Sequence, residues 1–155
     1  MTHPAWAQRL LGGEEAFDAI ARAIVAAEAR TSAEIRVHME RRVPRRWFRA
    51  GDPLTRAHAG FRRLGMERTA ERSGVLIYLA ADDRKLAIIG DAGIHVHVGD
   101  DYWAGVRDRM VERLRAGEAW RAIVEAVQEV GSVLAEHFPR RPDDVNELSD
   151  EVSVQ

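Results

Sequence analysis

The chain has 155 residues, enough for one domain with a sizeable core, and its 46% hydrophobic and 31% charged content is that of an ordinary globular protein. A formal net charge of -2 provides no global basic field to recruit nucleic acid or an anionic membrane. With no cysteine, disulfides, thiolate zinc sites and cysteine nucleophiles are excluded.

At the start, Met1 to Trp6 has no lysine or arginine ahead of an apolar run, so neither a signal nor a transit peptide is expected. Nothing approaches the roughly 20 apolar residues of a spanning helix, and the expected location is the cytoplasm. Glu14 to Arg30 has helical spacing, with Phe17, Ile20, Ala21, Ile24 and Ala27 or Glu28 on one stripe and acids in the first turn. Thr31-Ser32 breaks the pattern. Ala33 to Met39 then alternates, with Ile35, Val37 and Met39 on one face and Glu34, Arg36 and His38 on the other, which predicts a half-buried strand.

Arg41 to Asp52 holds Pro44, Gly51 and five arginines around Trp47-Phe48, and reads as a long loop. Pro53 opens a short helix with Leu54, Ala57, Phe61 and Leu64 directed inward and Gly65 just past its end. Val75 to Ala80 is a continuous apolar run, as expected of a strand covered on both faces. Asp82-Asp83 turns the chain into Leu86 to Ile89, and so short a connection predicts an antiparallel hairpin.

Beyond the glycine loop Gly90 to Gly93, Ile94, Val96 and Val98 alternate with His95 and His97, which suggests a short edge strand. Two amphipathic helices follow. Asp101 to Ala116 presents Trp103, Val106, Met110 and Leu114; Glu118 to His137 presents Trp120, Ile123, Val124, Val127, Val130 or Gly131, and Leu134. Phe138-Pro139 ends the second. Residues 1–139 are thus expected to form one domain, and 140–155 a surface or disordered tail. The order of elements implies an α/β fold with a mixed sheet and helices on both faces.

Asp82, Asp83, Asp91, Asp100 and Asp101, interleaved with Gly90, Gly93 and Gly99, supply carboxylates and accessible carbonyls of the kind a hard cation such as calcium takes. Asp-Asp and Gly-Asp pairs are also ordinary turn chemistry. His95 and His97 on one side of a strand would form a two-histidine clamp for zinc, with Asp91 or Asp100 as a further ligand. Glu34 is a candidate ligand or general base, or else a solvated strand residue. Arg41, Arg42, Arg45, Arg46 and Arg49 beside Trp47-Phe48 suit phosphates or headgroups, but the near-neutral total charge argues against nucleic acid.

Taken in order, these segments resemble the TPM domain family, which includes thylakoid acid phosphatase-like proteins, photosystem II repair proteins, a modulator of nicotinic receptors and many bacterial envelope proteins. The resemblance runs from about Phe17 to Phe138. It is carried by Thr31 to Val37, Arg56 to Gly65, Gly74-Val75-Leu76, Asp83-Arg84, Gly90 to Gly93, and Asp100 or Asp101. The ending Asn146 to Glu151 is similar to that of a bacterial branch without membrane anchors. Ser73 stands where the family has asparagine, and the glycine loop is one residue longer than usual.

The resemblance implies an α/β/α sandwich around a mixed sheet of about four strands. In some relatives it implies calcium held by acidic loops at one end of the sheet, and in the plant branch weak acid phosphatase activity. Asp83 and Asp100 or Asp101 are then the leading ligands, with Asp82, Asp91 and Glu34 behind them. On a first reading the chain is a non-catalytic module that binds a divalent cation, calcium by resemblance, and engages an unidentified protein partner, a membrane-associated protein being one candidate. On a second it is a metal-assisted phosphomonoesterase, with an aspartate or Glu34 as base and Arg84 holding the phosphate. A metal-free protein-binding domain is the third. The first is preferred, because no nucleophile with a recognisable base is evident.

Overall fold

The apolar run Val75 to Ala80 becomes the buried interior strand of a four-stranded sheet, and every residue in it is buried. The structure, a computed structural model, describes residues 2–44, 51–142 and 149–155. Along the chain the helices are α1 (Ala5–Leu11), α2 (Glu14–Glu28), α3 (Pro53–Arg63), α4 (Ala92–Arg115) and α5 (Ala119–His137). The strands are β1 (Ile35–Glu40), β2 (Val75–Ala80), β3 (Lys85–Gly90) and β4 (Ser153–Val154), in the spatial order β3-β2-β1-β4. β1 runs parallel to both β2 and β4, whereas β2 and β3 form the expected antiparallel hairpin.

Alternation along the strands divides the core in two. Ile35, Val37 and Met39 of β1, with Val75, Ile77, Leu79, Leu86 and Ile88, join α1, α2, α4 and α5 in the larger cluster. Leu76, Tyr78, Ala80, Ala87 and Ile89 face the other way, onto Ala57 and Phe61 of α3. A sheet buried on both faces between helical layers is the expected sandwich. Thr31, where α2 was expected to break, is fully buried; its hydroxyl donates to Phe138 O at 2.5 Å and ties the end of α5 to the α2–β1 corner.

Four features depart from the sequence expectations. Helix α1 was not foreseen; it spans only seven residues and ends at Gly12, whose φ of 96° is readily reached only by glycine. His95 and His97 do not lie on a strand but in the first turns of α4, where Asp91 Oδ1 accepts the Ala92 amide at 2.7 Å. Ile94 and Val98, four residues apart, suit a helix as well as a strand, and the N-terminal cap decides for the helix. Gly99, at φ 76° and ψ 174°, then interrupts α4.

The tail, expected on the surface, returns to the sheet. Val152 is buried, β4 pairs with His38 and Met39, and Ser153 Oγ lies 2.9 Å from His38 Nδ1. A two-residue strand is too short to leave a periodicity in the sequence. Finally, Leu54 and Trp120, assigned inward from helical spacing, are 48% and 39% exposed. Both lie in the first turn of their helices, where the stripe overhangs the edge of the core.

Candidate functional site

The acidic loops are divided between the two ends of the hairpin. The β2–β3 register pairs Ala80 with Lys85 at one end and Val75 with Gly90 at the other. Asp82, Asp83 and Arg84 therefore sit at the first end and Asp91 at the second, about 17 Å apart at the usual rise per strand residue. Glu34 lies at the second end, its carbonyl accepting the Val75 amide at 2.9 Å, so Glu34 and Arg84 do not meet.

Four of the five aspartates are engaged locally. Asp82 Oδ2 accepts from Arg41 Nε at 2.8 Å and lies 3.5 Å from Arg42 Nε; chiefly the Arg41 hydrogen bond lowers its pKa. Asp83 Oδ2 accepts the Val43 amide at 2.7 Å. Asp91 caps α4, and Asp100, with its side chain 97% exposed, lies 3.5 Å from His95 Nε2. Asp101 is exposed on α4. His95 and His97 are not a clamp: His95 Nδ1 accepts from Trp103 Nε1 at 3.1 Å, while His97 stacks on His137 with ring centroids 4.4 Å apart. Residues two apart on a helix point in different directions, which separates them. Among the described residues no three His, Asp or Glu side chains are placed to hold a metal ion. The acidic loops as placed do not fit the calcium that the resemblance implies. Arg45, Arg46, Trp47, Phe48 and Arg49 of the basic loop lie outside the described residues.

The hairpin does build a groove along the outer edge of β3. Its volume is about 680 Å³, and its floor is Leu86 to Gly90. One wall is the start of α3, with Pro53, Leu54 and His58; the other is α4, with His95, Trp103 and Arg107. Asp52 sets the first wall by capping α3: its carboxylate accepts from the amides of Leu54 at 3.3 Å and Thr55 at 3.2 Å, with Pro53 at the start of the helix. Gly90 sets the second. A Cβ there would lie 2.3 Å from Trp103 Cζ2, so the absent side chain is the space the indole occupies. Gly93 is similarly constrained, since its Cβ would meet the carbonyl oxygen of Glu71 at 2.2 Å. The glycine loop is thus a packing device between β3, α4 and the preceding loop. Gly90→Ala is expected to lower stability by about 1–3 kcal/mol through overpacking against Trp103, read as a lower urea midpoint.

Two buried polar clusters escaped sequence reasoning. Glu40, 4% exposed, accepts from Arg56 Nε at 3.0 Å, Arg56 Nη2 at 2.5 Å and the Tyr78 hydroxyl at 2.9 Å, with Arg63 Nη2 at 3.5 Å. Burial pushes the Glu40 carboxyl up, but the Arg56 and Tyr78 hydrogen bonds prevail and hold it below its ordinary value. Burial keeps the neighbouring His38 below its ordinary value. In the second cluster Glu28, 5% exposed, accepts the Ile35 amide at 2.7 Å. Burial first, then Asp150, push the Glu28 carboxyl up to about 10, and Glu34 adds to the shift. Asp150 comes from the tail, so only the folded chain assembles this group.

Comparison with known proteins agrees with this architecture. The family model described as the TPM domain matches residues 8–133. The chain is similar to the BA42 protein of the psychrophilic bacterium Bizionia argentinensis, known from an NMR structure. Identity is 36%, coverage 91% of this chain and 93% of that one, and the TM-score 0.80. An N-terminal domain of a protein from P. gingivalis shares the fold at 20% identity and a TM-score of 0.64, covering 88% of this chain and 90% of that one. So does the N-terminal domain of the cg2496 protein of Corynebacterium glutamicum, at 18% identity and a TM-score of 0.58, covering 77% and 72%. No curated protein matches. Among the described residues no helix is long and apolar enough to cross a membrane. With the family model matching residues 8–133, most of the chain, and BA42 alike in sequence and fold, the chain belongs to the TPM domain family.

Proposed function

We propose that this TPM domain is an interaction module that binds a protein partner in the groove along β3. The observation that supports it is a strand edge forming the floor of an apolar groove, with Leu54 on its wall 48% exposed. An apolar recess of this size, floored by a strand edge, is a common form of binding site. The phosphomonoesterase alternative draws no support from Glu34 and Arg84, which stand at opposite ends of the hairpin. The calcium-dependent form of the module rests on the family resemblance alone.

The experiment is affinity capture on immobilised wild-type protein beside two surface variants. Leu54→Asp alters the groove wall, whereas Val25→Asp alters α2, where Val25 is 53% exposed and outside the groove. A partner retained by Val25→Asp and weakened at least about tenfold by Leu54→Asp is expected, since setting a carboxylate against an apolar partner surface costs at least about 1.4 kcal/mol. Partners indifferent to Leu54→Asp would place binding elsewhere on the domain.

A further inference from the structure

The backbone of β3 defines what can lie in the groove. The Asp91 amide donates to Gly74 O at 2.9 Å, so Asp91 and Gly74 form a hydrogen-bonded pair of the antiparallel ladder. Such pairs alternate, so Ile89, Ala87 and Lys85 exchange hydrogen bonds with β2. Leu86, Ile88 and Gly90 therefore turn their amides and carbonyls away from β2, along the groove. Among the described residues none of these groups has a backbone or side-chain partner. Unpaired donors and acceptors at every second residue are the template that an added strand completes.

The groove also limits the shape of its occupant. Its floor of five residues, Leu86 to Gly90, is about 17 Å long, close to the length of a common strand. Helices α3 and α4 stand on either side, and Leu86, Ala87, Ile88 and Ile89 are each no more than 9% exposed. The edge is recessed rather than proud. A second copy of this chain would bring an equally recessed β3 and could not reach it, because a twofold contact requires the same patch on both molecules. A single extended segment can enter between the helices. The opposite edge of the same sheet already takes one: Ser153–Val154 lies alongside β1, and the Gln155 amide donates to Met39 O at 2.9 Å.

Granted that the groove is the docking surface, we infer that it takes an extended peptide segment of about five residues, added to β3 as a fifth strand through the backbone of Leu86, Ile88 and Gly90. Alternate side chains of that segment point to the two walls. Those directed at α3 meet Pro53 and Leu54 and are apolar; those directed at α4 meet Trp103 and Arg107, where an apolar residue with a neighbouring carboxylate fits.

The test uses a phage-displayed library of random peptides selected on the wild-type protein and counter-selected on Leu54→Asp. Peptides that survive are expected to slow hydrogen exchange at the Leu86, Ile88 and Gly90 amides at least tenfold. N-methylation of every second peptide amide should weaken binding at least tenfold, and methylation of the intervening amides should not. Peptides that require Leu54 but show neither the protection nor the alternation would overturn strand addition and leave the groove as a docking surface for a helix or turn. A library whose wild-type binders are all removed by the counter-selection on Leu54→Asp would overturn both. Dimerisation of the unliganded protein that Leu54→Asp abolishes would make a second copy the occupant and overturn the peptide.

Discussion

Arg56→Ala is expected to unfold about 3–5 kcal/mol more readily than the wild type at neutral pH, the usual effect of removing one member of a buried ion pair. Arg56 supplies three of the hydrogen bonds to Glu40, and the side chain of Glu40 is only 5% exposed. Without Arg56 the carboxylate keeps the Tyr78 hydroxyl and the more distant Arg63, too little to compensate its desolvation. Urea unfolding measures the loss, and its pH dependence identifies the cause. In the wild type the Glu40 carboxyl lies below its ordinary value of 4.5, so its contribution is present above about 4.5 and is lost as pH falls through the folded value. In Arg56→Ala the stranded carboxyl is raised instead, so the deficit shrinks as pH falls from 7 toward 5. Arg56→Ala combined with Glu40→Gln should recover much of the stability, because both charges are then gone. A constant deficit across that range, with no recovery in the double variant, would mean that Arg56 acts only through its alkyl packing.

Glu28→Gln has an expected effect of opposite sign. Glu28 is pushed from 4.5 to about 10, so the folded protein holds a proton that the unfolded chain releases above 4.5. Its contribution to stability therefore falls as pH rises from about 4.5 to about 10. At pH 7 retaining that proton costs about 3 kcal/mol, from 1.36 kcal/mol per pH unit. Glutamine keeps an oxygen for the Ile35 amide and a donor for Asp150, and it has no proton to retain. The variant should thus be more stable than the wild type at pH 8, with the gap narrowing toward pH 5. Thermal unfolding at the two pH values checks this. Identical pH dependence in variant and wild type would show that Glu28 is not the group that titrates. Glu34 and Asp150 face Glu28, and Arg36 lies within reach of the charges on Asp150 and Glu151, so Asp150→Asn should reduce the same slope.

Both clusters show why polar residues are hard to read from order alone. Alternation along β1 placed Glu34 and His38 on a polar face, and a polar face usually meets water. Here Arg56, reaching from α3, and the returning tail close over it, and His38 and Glu40 are 3% and 4% exposed. Their partners, Arg56, Tyr78, Ser153 and Asp150, lie far along the chain, and no spacing in the sequence couples them.

What the sequence determined by itself is local. The apolar stripes of α2, α3 and α5, the solid run of β2, the two-aspartate turn into β3 and the ordered motifs of the family follow from interactions within a few residues, and they suffice for the α/β/α fold. Tertiary structure decided the rest. Ile94 and Val98 satisfied helix and strand equally until Asp91 capped α4 against the loop at Arg72, whose carbonyl accepts the Gly93 amide at 2.8 Å. β4 exists only because β1 offers it an edge. The five aspartates looked like one site because they are neighbours in sequence, but a hairpin carries its turn and its open end to opposite ends of the strands. The groove along β3 had no sequence signal, because its floor and two walls come from three separated segments that meet only when both helical layers pack on the sheet.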